Sequence, residues 1–155
     1  MKPRLNPYQA APGMMKALMA LEGQVANSGL EPGLIELVKI RASQINGCAF
    51  CLHMHTRDAR AKGENEERIY LLDAWRESPL FTDRERAALA WTEAVTLVSQ
   101  THVPDEVYEQ ARSQFSEEEL VKLTLLVTTI NTWNRLAISF RSIHPVNVKA
   151  ASAAA

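Results

Sequence analysis

The segment Cys48-Ala49-Phe50-Cys51-Leu52-His53-Met54-His55 holds the chain's only two cysteines, three positions apart, with a histidine four positions after the second. On an α-helix, where each residue turns by about 100°, Cys48, Cys51 and His55 stand at i, i+3 and i+7 and share one face. Two thiols so placed can close into a disulfide with little backbone movement. An imidazole one turn beyond the second supplies a base or a cationic partner. The chemistry implied is a reversible dithiol/disulfide site. Its electrostatics point two ways, because a helix start at Cys48 favours a thiolate there while His55 favours one at Cys51. Cys48 would also suit exchange with an external reductant. His53 lies about 200° round the helix from His55 and reads as a surface residue.

Other uses of the pair fit less well. A structural zinc site needs about four ligands; only Cys48, Cys51, His55 and Glu36 or His53 are near, and there is no second CxxC. Covalent haem attachment needs a histidine directly after the second cysteine, where this chain has Leu52. A thioredoxin fold needs βαβ signals around the motif, and none surround it. The bland reading is two small buried residues on a helix. No metal or cofactor is expected.

The elements that must position these residues read as helices. The chain has 155 residues, 46% hydrophobic and 23% charged, with a formal net charge of -1. These values suit one all-α domain, taken as residues 1–145, followed by a flexible tail, 146–155. Interleaved charges give no footprint for nucleic acid and no polybasic membrane patch. No apolar run is long enough to span a bilayer, and the N-terminus lacks a signal-peptide core. The expected compartment is the cytoplasm, where a CxxC is catalytic or metal-binding more often than a structural staple.

Pro and Gly punctuate the pattern. A first helix is expected from Pro12 toward Gly29, with Met14, Leu18, Leu21 and Val25 on its apolar face. A second runs from Pro32 to a stop at Gly47, with Leu34, Leu37, Val38 and Ile45 as its stripe and Glu36 on or beside it. The cysteine helix starts near Cys48 and ends at Gly63. A fourth helix, capped by Asn65, is expected to run to Ser78. Thr82 to Glu85 and Ser116 to Glu119 are capping boxes; the second opens the longest helix, Glu117 to Ser142, closed by Pro145. A short amphipathic helix follows Pro104. The longest helix is apolar on several faces, which places it at the centre of one subunit or in a subunit interface. Trp75, Trp91 and Trp133 read as core or interface residues. Asn131, Asn134 and Arg135 either brace the site or serve interhelical polar roles. His144 reads as a partner of a helix C-terminal dipole, and His102 as a loop residue.

Glu36, Cys48-Ala-Phe-Cys51 and His55 together resemble the alkylhydroperoxidase D (AhpD)-like family of the carboxymuconolactone decarboxylase-like superfamily. The run from Leu37 to Cys48 and the residues Asn131-Thr132-Trp133-Asn134-Arg135 with Phe140-Arg141 are similar to that family's pattern, and the resemblance spans about Leu34 to Arg141. It implies an all-α, AhpD-like helical bundle and a thiol-dependent peroxidase. Cys51 would attack the peroxide, Cys48 would resolve the sulfenic acid as a disulfide, and His55 with Glu36 would relay protons. For Glu36 the alternative is a solvated helix-face carboxylate. The resemblance further implies a hydroperoxide substrate, a lipoyl-type or thioredoxin-type dithiol reductant, and a homo-oligomer, a trimer or hexamer. Where some members carry a further histidine directly before the second cysteine, this chain has Phe50, which shortens the relay. The decarboxylase branch lacks the cysteine pair. A disulfide reductase and a non-catalytic redox sensor stand as alternative functions of the same CxxC.

Overall fold

Helix α3, Pro32–Asn46, runs through the middle of the molecule, and every residue from Leu34 to Ile40 is buried. The computed structural model describes residues 2–145; the expected tail, 146–155, lies outside the described residues. Because α3 is covered on all sides, its sequence reads as an apolar run rather than a stripe, and a charge carried inward on it needs a partner. It packs against α4 (Ala49–Ala61), α6 (Asp83–Thr96) and α9 (Glu117–Phe140). Helix α2 (Pro12–Ala26) lies along α9. Around this frame sit α5 (Glu66–Leu71) with a 3-10 turn at Leu72–Ala74, and α8 (Asp105–Arg112). Among the described residues there is no strand, so the fold is an all-α bundle. Among the described residues no helix is long and apolar enough to cross a membrane.

Most helix starts follow the expected chemistry. Thr82 and Ser116 form full capping boxes with Glu85 and Glu119, and the Asn65 side chain accepts the Glu67 N–H. Gly47, at φ 68°, ends α3 in the left-handed region that glycine occupies without Cβ strain. That tight turn returns the chain at once into α4, so α3 and α4 form a hairpin.

Several expectations are corrected. The core-facing side of α2 carries Met15 and Val25; Met14 is 73% exposed and Leu21 is exposed as well. The fourth helix stops at Leu71 instead of reaching Ser78, because the Arg86 guanidinium takes the carbonyls of Trp75, Arg76 and Ser78. Helix α9 ends at Phe140, before Pro145 is reached. Arg141 turns left-handed at φ 56° and donates its N–H to the carbonyls of Ala137 and Ile138. Two one-turn helices, α1 (Pro7–Ala10) and α7 (Val98–Thr101), are too short to leave a periodic signal. The helix covered on every side is α3; α9 leaves Val121, Leu125 and Ile138 exposed on the single chain.

Candidate active site

Cys48 is the N-cap of α4. Its backbone is extended, and its Sγ accepts the Cys51 N–H at 3.4 Å, the place a Ser or Asp oxygen usually fills. Both cysteines are free thiols and both are buried, at 1% and 2% exposure. The hydrogen bond between the two sulfur groups draws the Cys48 pKa down to about 7 against the cost of burial. The Cys51 and Phe50 N–H groups and the Asn134 side chain assist. The same sulfur contact, with burial and the adjacent negative charge, pushes the Cys51 thiol far above the usual range. The pair therefore gives up one proton readily and a second only with difficulty. The charge rests at the helix start, where the dipole favours it.

Asn134 belongs to a polar ladder that α9 drives into the bundle. Its Nδ2 donates to Ser43 Oγ at 3.0 Å, and the Asn46 amide donates to the side-chain oxygens of Asn134 and Asn131 at 2.8 and 2.9 Å. Asn131 Nδ2 reaches Thr96 Oγ1 at 3.0 Å, and Arg135 braces the Asn131 side-chain oxygen at 2.7 Å. The ladder ties α3, α6 and α9 behind the thiols. Asn131 and Asn134 thus brace the site through the interhelical bonds that were the other reading of them, and Arg135 supports Asn131 from one turn along the same helix.

Glu36 and His55 come together as the spacing allowed. His55 Nδ1 lies 3.0 Å from Glu36 Oε2, with both residues buried. Lys62, at the end of α4, donates to the other carboxylate oxygen at 2.6 Å. Burial alone would raise the Glu36 pKa; the hydrogen bonds from His55 and Lys62 and their charge outweigh it and hold the carboxyl below its usual range. Glu36 is not a solvated helix-face residue. It fixes one ring nitrogen of His55 and leaves Nε2 as the atom available to a reacting group.

A cavity of about 460 Å³ joins these parts. Cys51, His55 and Glu36 line it, whereas Cys48 does not. Met15, Met19, Phe50, Met54, Trp133 and Leu136 form its apolar walls. On the same wall Lys39 Nζ donates to Glu22 Oε1 at 2.5 Å, and Trp133 Nε1 donates to Glu22 Oε2 at 3.0 Å. Tyr8 and Ser142 complete the rim. Arg4 brings these two ends together, its backbone N–H donating to the Phe140 carbonyl at 3.0 Å and its guanidinium to the Ser139 carbonyl at 3.1 Å.

One oxygen or nitrogen each from Glu36, His55 and Asp58 lies within 4.8 Å of the others, close enough to approach a cation. The Lys62 ammonium already supplies positive charge to Glu36, and the cysteines are not part of this group.

The family model for the carboxymuconolactone decarboxylase family matches residues 12–94, more than half of the chain. The chain belongs to that family. Within this family, its fold and motif are AhpD-like. It is 51% identical to a solved protein of unknown function from Agrobacterium tumefaciens proposed to be the antioxidant defence protein AhpD. That match has a TM-score of 0.92 and covers 94% of this chain and 100% of the other. The uncharacterized protein YdfG of Bacillus subtilis is 45% identical over 139 residues, 90% of this chain and 95% of its own. A peroxidase-related protein from Ralstonia eutropha, described as an alkylhydroperoxidase AhpD core, shares the fold at 19% identity. Its TM-score is 0.78, over 89% of this chain and 74% of its own.

Other residues of this AhpD-like chain stand differently from their expected places. Trp75 and Trp91 are core residues, while Trp133 is a cavity wall with a polar anchor. His53 is half-buried, its ring stacked on His144 with centroids 4.7 Å apart. His144 therefore packs on α4 and does not serve a helix end. Glu22, Lys39 and Asp58 carried no signal in the motif. Their spacing from it (i+3 from Glu36 to Lys39, i+3 from His55 to Asp58) is the trace that points to the same face.

Proposed function

We propose that this protein is a thiol-dependent peroxidase that reduces organic hydroperoxides through a Cys48/Cys51 dithiol/disulfide cycle. The observation that carries this reading is the opening of Cys51 into an apolar cavity that also holds the buried Glu36–His55 pair. Cys48 holds the resting charge, but Cys51 is the sulfur a substrate in the cavity can meet. Cys51 passes its proton to His55 and attacks the terminal peroxide oxygen. The O–O bond breaks, Cys51 becomes a sulfenic acid, and the departing alkoxide takes a proton from His55 to leave as the alcohol. Cys48, as the thiolate, then attacks the sulfenic sulfur and forms the disulfide, and the departing hydroxide takes a proton from solvent to leave as water. A dithiol donor of lipoyl or thioredoxin type restores both thiols by two exchange steps and leaves as its own disulfide. Phe50, in place of a second histidine, leaves His55 as the imidazole of the relay.

The exposed Met14, Met19, Leu21, Val121 and Leu125 support assembly as a homo-oligomer, since single-chain surfaces seldom show so many apolar residues on two neighbouring helices. The test of function is a single turnover. Fully reduced protein is mixed with one equivalent of cumene hydroperoxide and thiol loss is followed beside Cys48→Ser and Cys51→Ser. Rapid loss of two thiols per chain, abolished in Cys51→Ser, is expected. Loss at the rate of an ordinary free thiol would instead favour disulfide exchange or redox sensing.

A further inference from the structure

The cavity's charges are unevenly answered. Glu22, Glu36 and Asp58 bring three carboxylates to its wall and Lys39 one ammonium. Lys39 is already committed to Glu22, and Glu36 to Lys62 from outside the lining. Asp58 forms no ion pair among the described residues, and its carboxylate stands within 4.8 Å of Glu36 and His55. Beside the reacting sulfur the lining therefore holds one carboxylate, Asp58, without an ion-pair partner among the described residues, and its one ammonium, Lys39, is already committed. The Asp58 carboxylate is itself exposed, so its charge acts at the cavity mouth, where salt screens it.

We propose that Asp58 is a specificity-determining residue that makes the cavity select uncharged hydroperoxides over carboxylate-bearing ones. This rests on the peroxidase reading. A neutral apolar hydroperoxide loses only water on entering; its anionic analogue also loses its hydration and meets Asp58 with no cation left to pair with. Lys39 could turn the balance the other way only by releasing Glu22, which would leave that carboxylate with the Trp133 N–H and no counter-charge.

The test uses three probes of one shape: cumene hydroperoxide, its para-carboxylate and the methyl ester of that acid. Each is mixed at pH 8 with the full reduced chain, and the second-order rate of thiol loss is measured. The ester is expected to react about tenfold faster than the acid at low salt, with the ratio shrinking as salt is raised. In Asp58→Asn the ratio should fall toward one, and in Asp58→Lys it should reverse. Taking ratios removes any effect of these variants on the thiols themselves. Equal rates for ester and acid, a faster acid, or a ratio that ignores both salt and Asp58 would overturn the proposal.

If no probe oxidises the thiols, the peroxidase reading fails and the charge rule is read from binding. The corresponding tertiary alcohols, which cannot react, are titrated calorimetrically into the reduced protein. Tighter binding of the ester alcohol than of the acid alcohol, a preference that Asp58→Lys reverses, upholds the rule. Equal binding, tighter binding of the acid, or no binding of either overturns it.

Discussion

From Leu120 to Val127, helix α9 presents Leu120, Leu123, Leu126 and Val127 to an apolar core shared with Phe115 and Trp91. From Ile130 to Ala137 the same helix presents Asn131, Trp133 and Asn134 to the thiol pair and the cavity. The first half makes contacts that any well-fitting hydrocarbon could make. The second half makes hydrogen bonds whose geometry is specific, and a buried amide without its partners costs more than a lost contact returns. One continuous helix lets the bland half hold the demanding half in register, since each residue is fixed to the next by the 1.5 Å rise.

The sharpest test of this division is Leu126→Ala. The residue is fully buried in the first half, so its truncation should cost about 2–5 kcal/mol, measured by urea unfolding. The thiol pKa of the folded protein should stay where it is. A shifted thiol titration in this variant would break the comparison, because it would show the two halves to be one unit.

Glu36→Gln should act in the opposite sense. Single-turnover thiol oxidation should slow by about a hundredfold while the fold persists. Its pH behaviour has a definite sign. The folded carboxyl ionises below its usual range, so the wild-type stability from this group is present above the unfolded carboxyl pKa and is lost as pH falls through the folded one. The variant should lack that acid-side loss in an unfolding series.

Asn134→Ala combines the two effects on a smaller scale. It leaves Ser43 and Asn46 short of a partner, at about 1–3 kcal/mol. It also removes a hydrogen bond that favours the Cys48 thiolate, so the midpoint of iodoacetamide alkylation should move upward from about 7. An unmoved midpoint would assign Asn134 to scaffolding alone.

How far the site was legible depended on whether a feature was local. The start of α4 at Cys48, the turn at Gly47 and both capping boxes depend on neighbours a few residues away, and they read correctly. The Glu36–His55 contact was implied by the family resemblance alone, since it needs α3 and α4 to form a hairpin, which the left-handed Gly47 allows. The links of Glu22 to Lys39 and Trp133 were opaque because they join α2, α3 and α9, and no sequence spacing relates residues 17 and 111 positions apart. The face of α2 was misread because Met14 and Met15 are both apolar and adjacent, so periodicity could not choose between them. The early end of α5 depends on Arg86 in another helix.

The Arg4 contacts to the Ser139 and Phe140 carbonyls have a practical bearing on how the protein is handled. They fasten the start of the described chain to its far end, just where Tyr8 and Ser142 border the cavity. An affinity tag or a fusion partner at residue 4 therefore disturbs the segments that line the cavity. Preparations that differ in this tag would differ in the wall of that cavity.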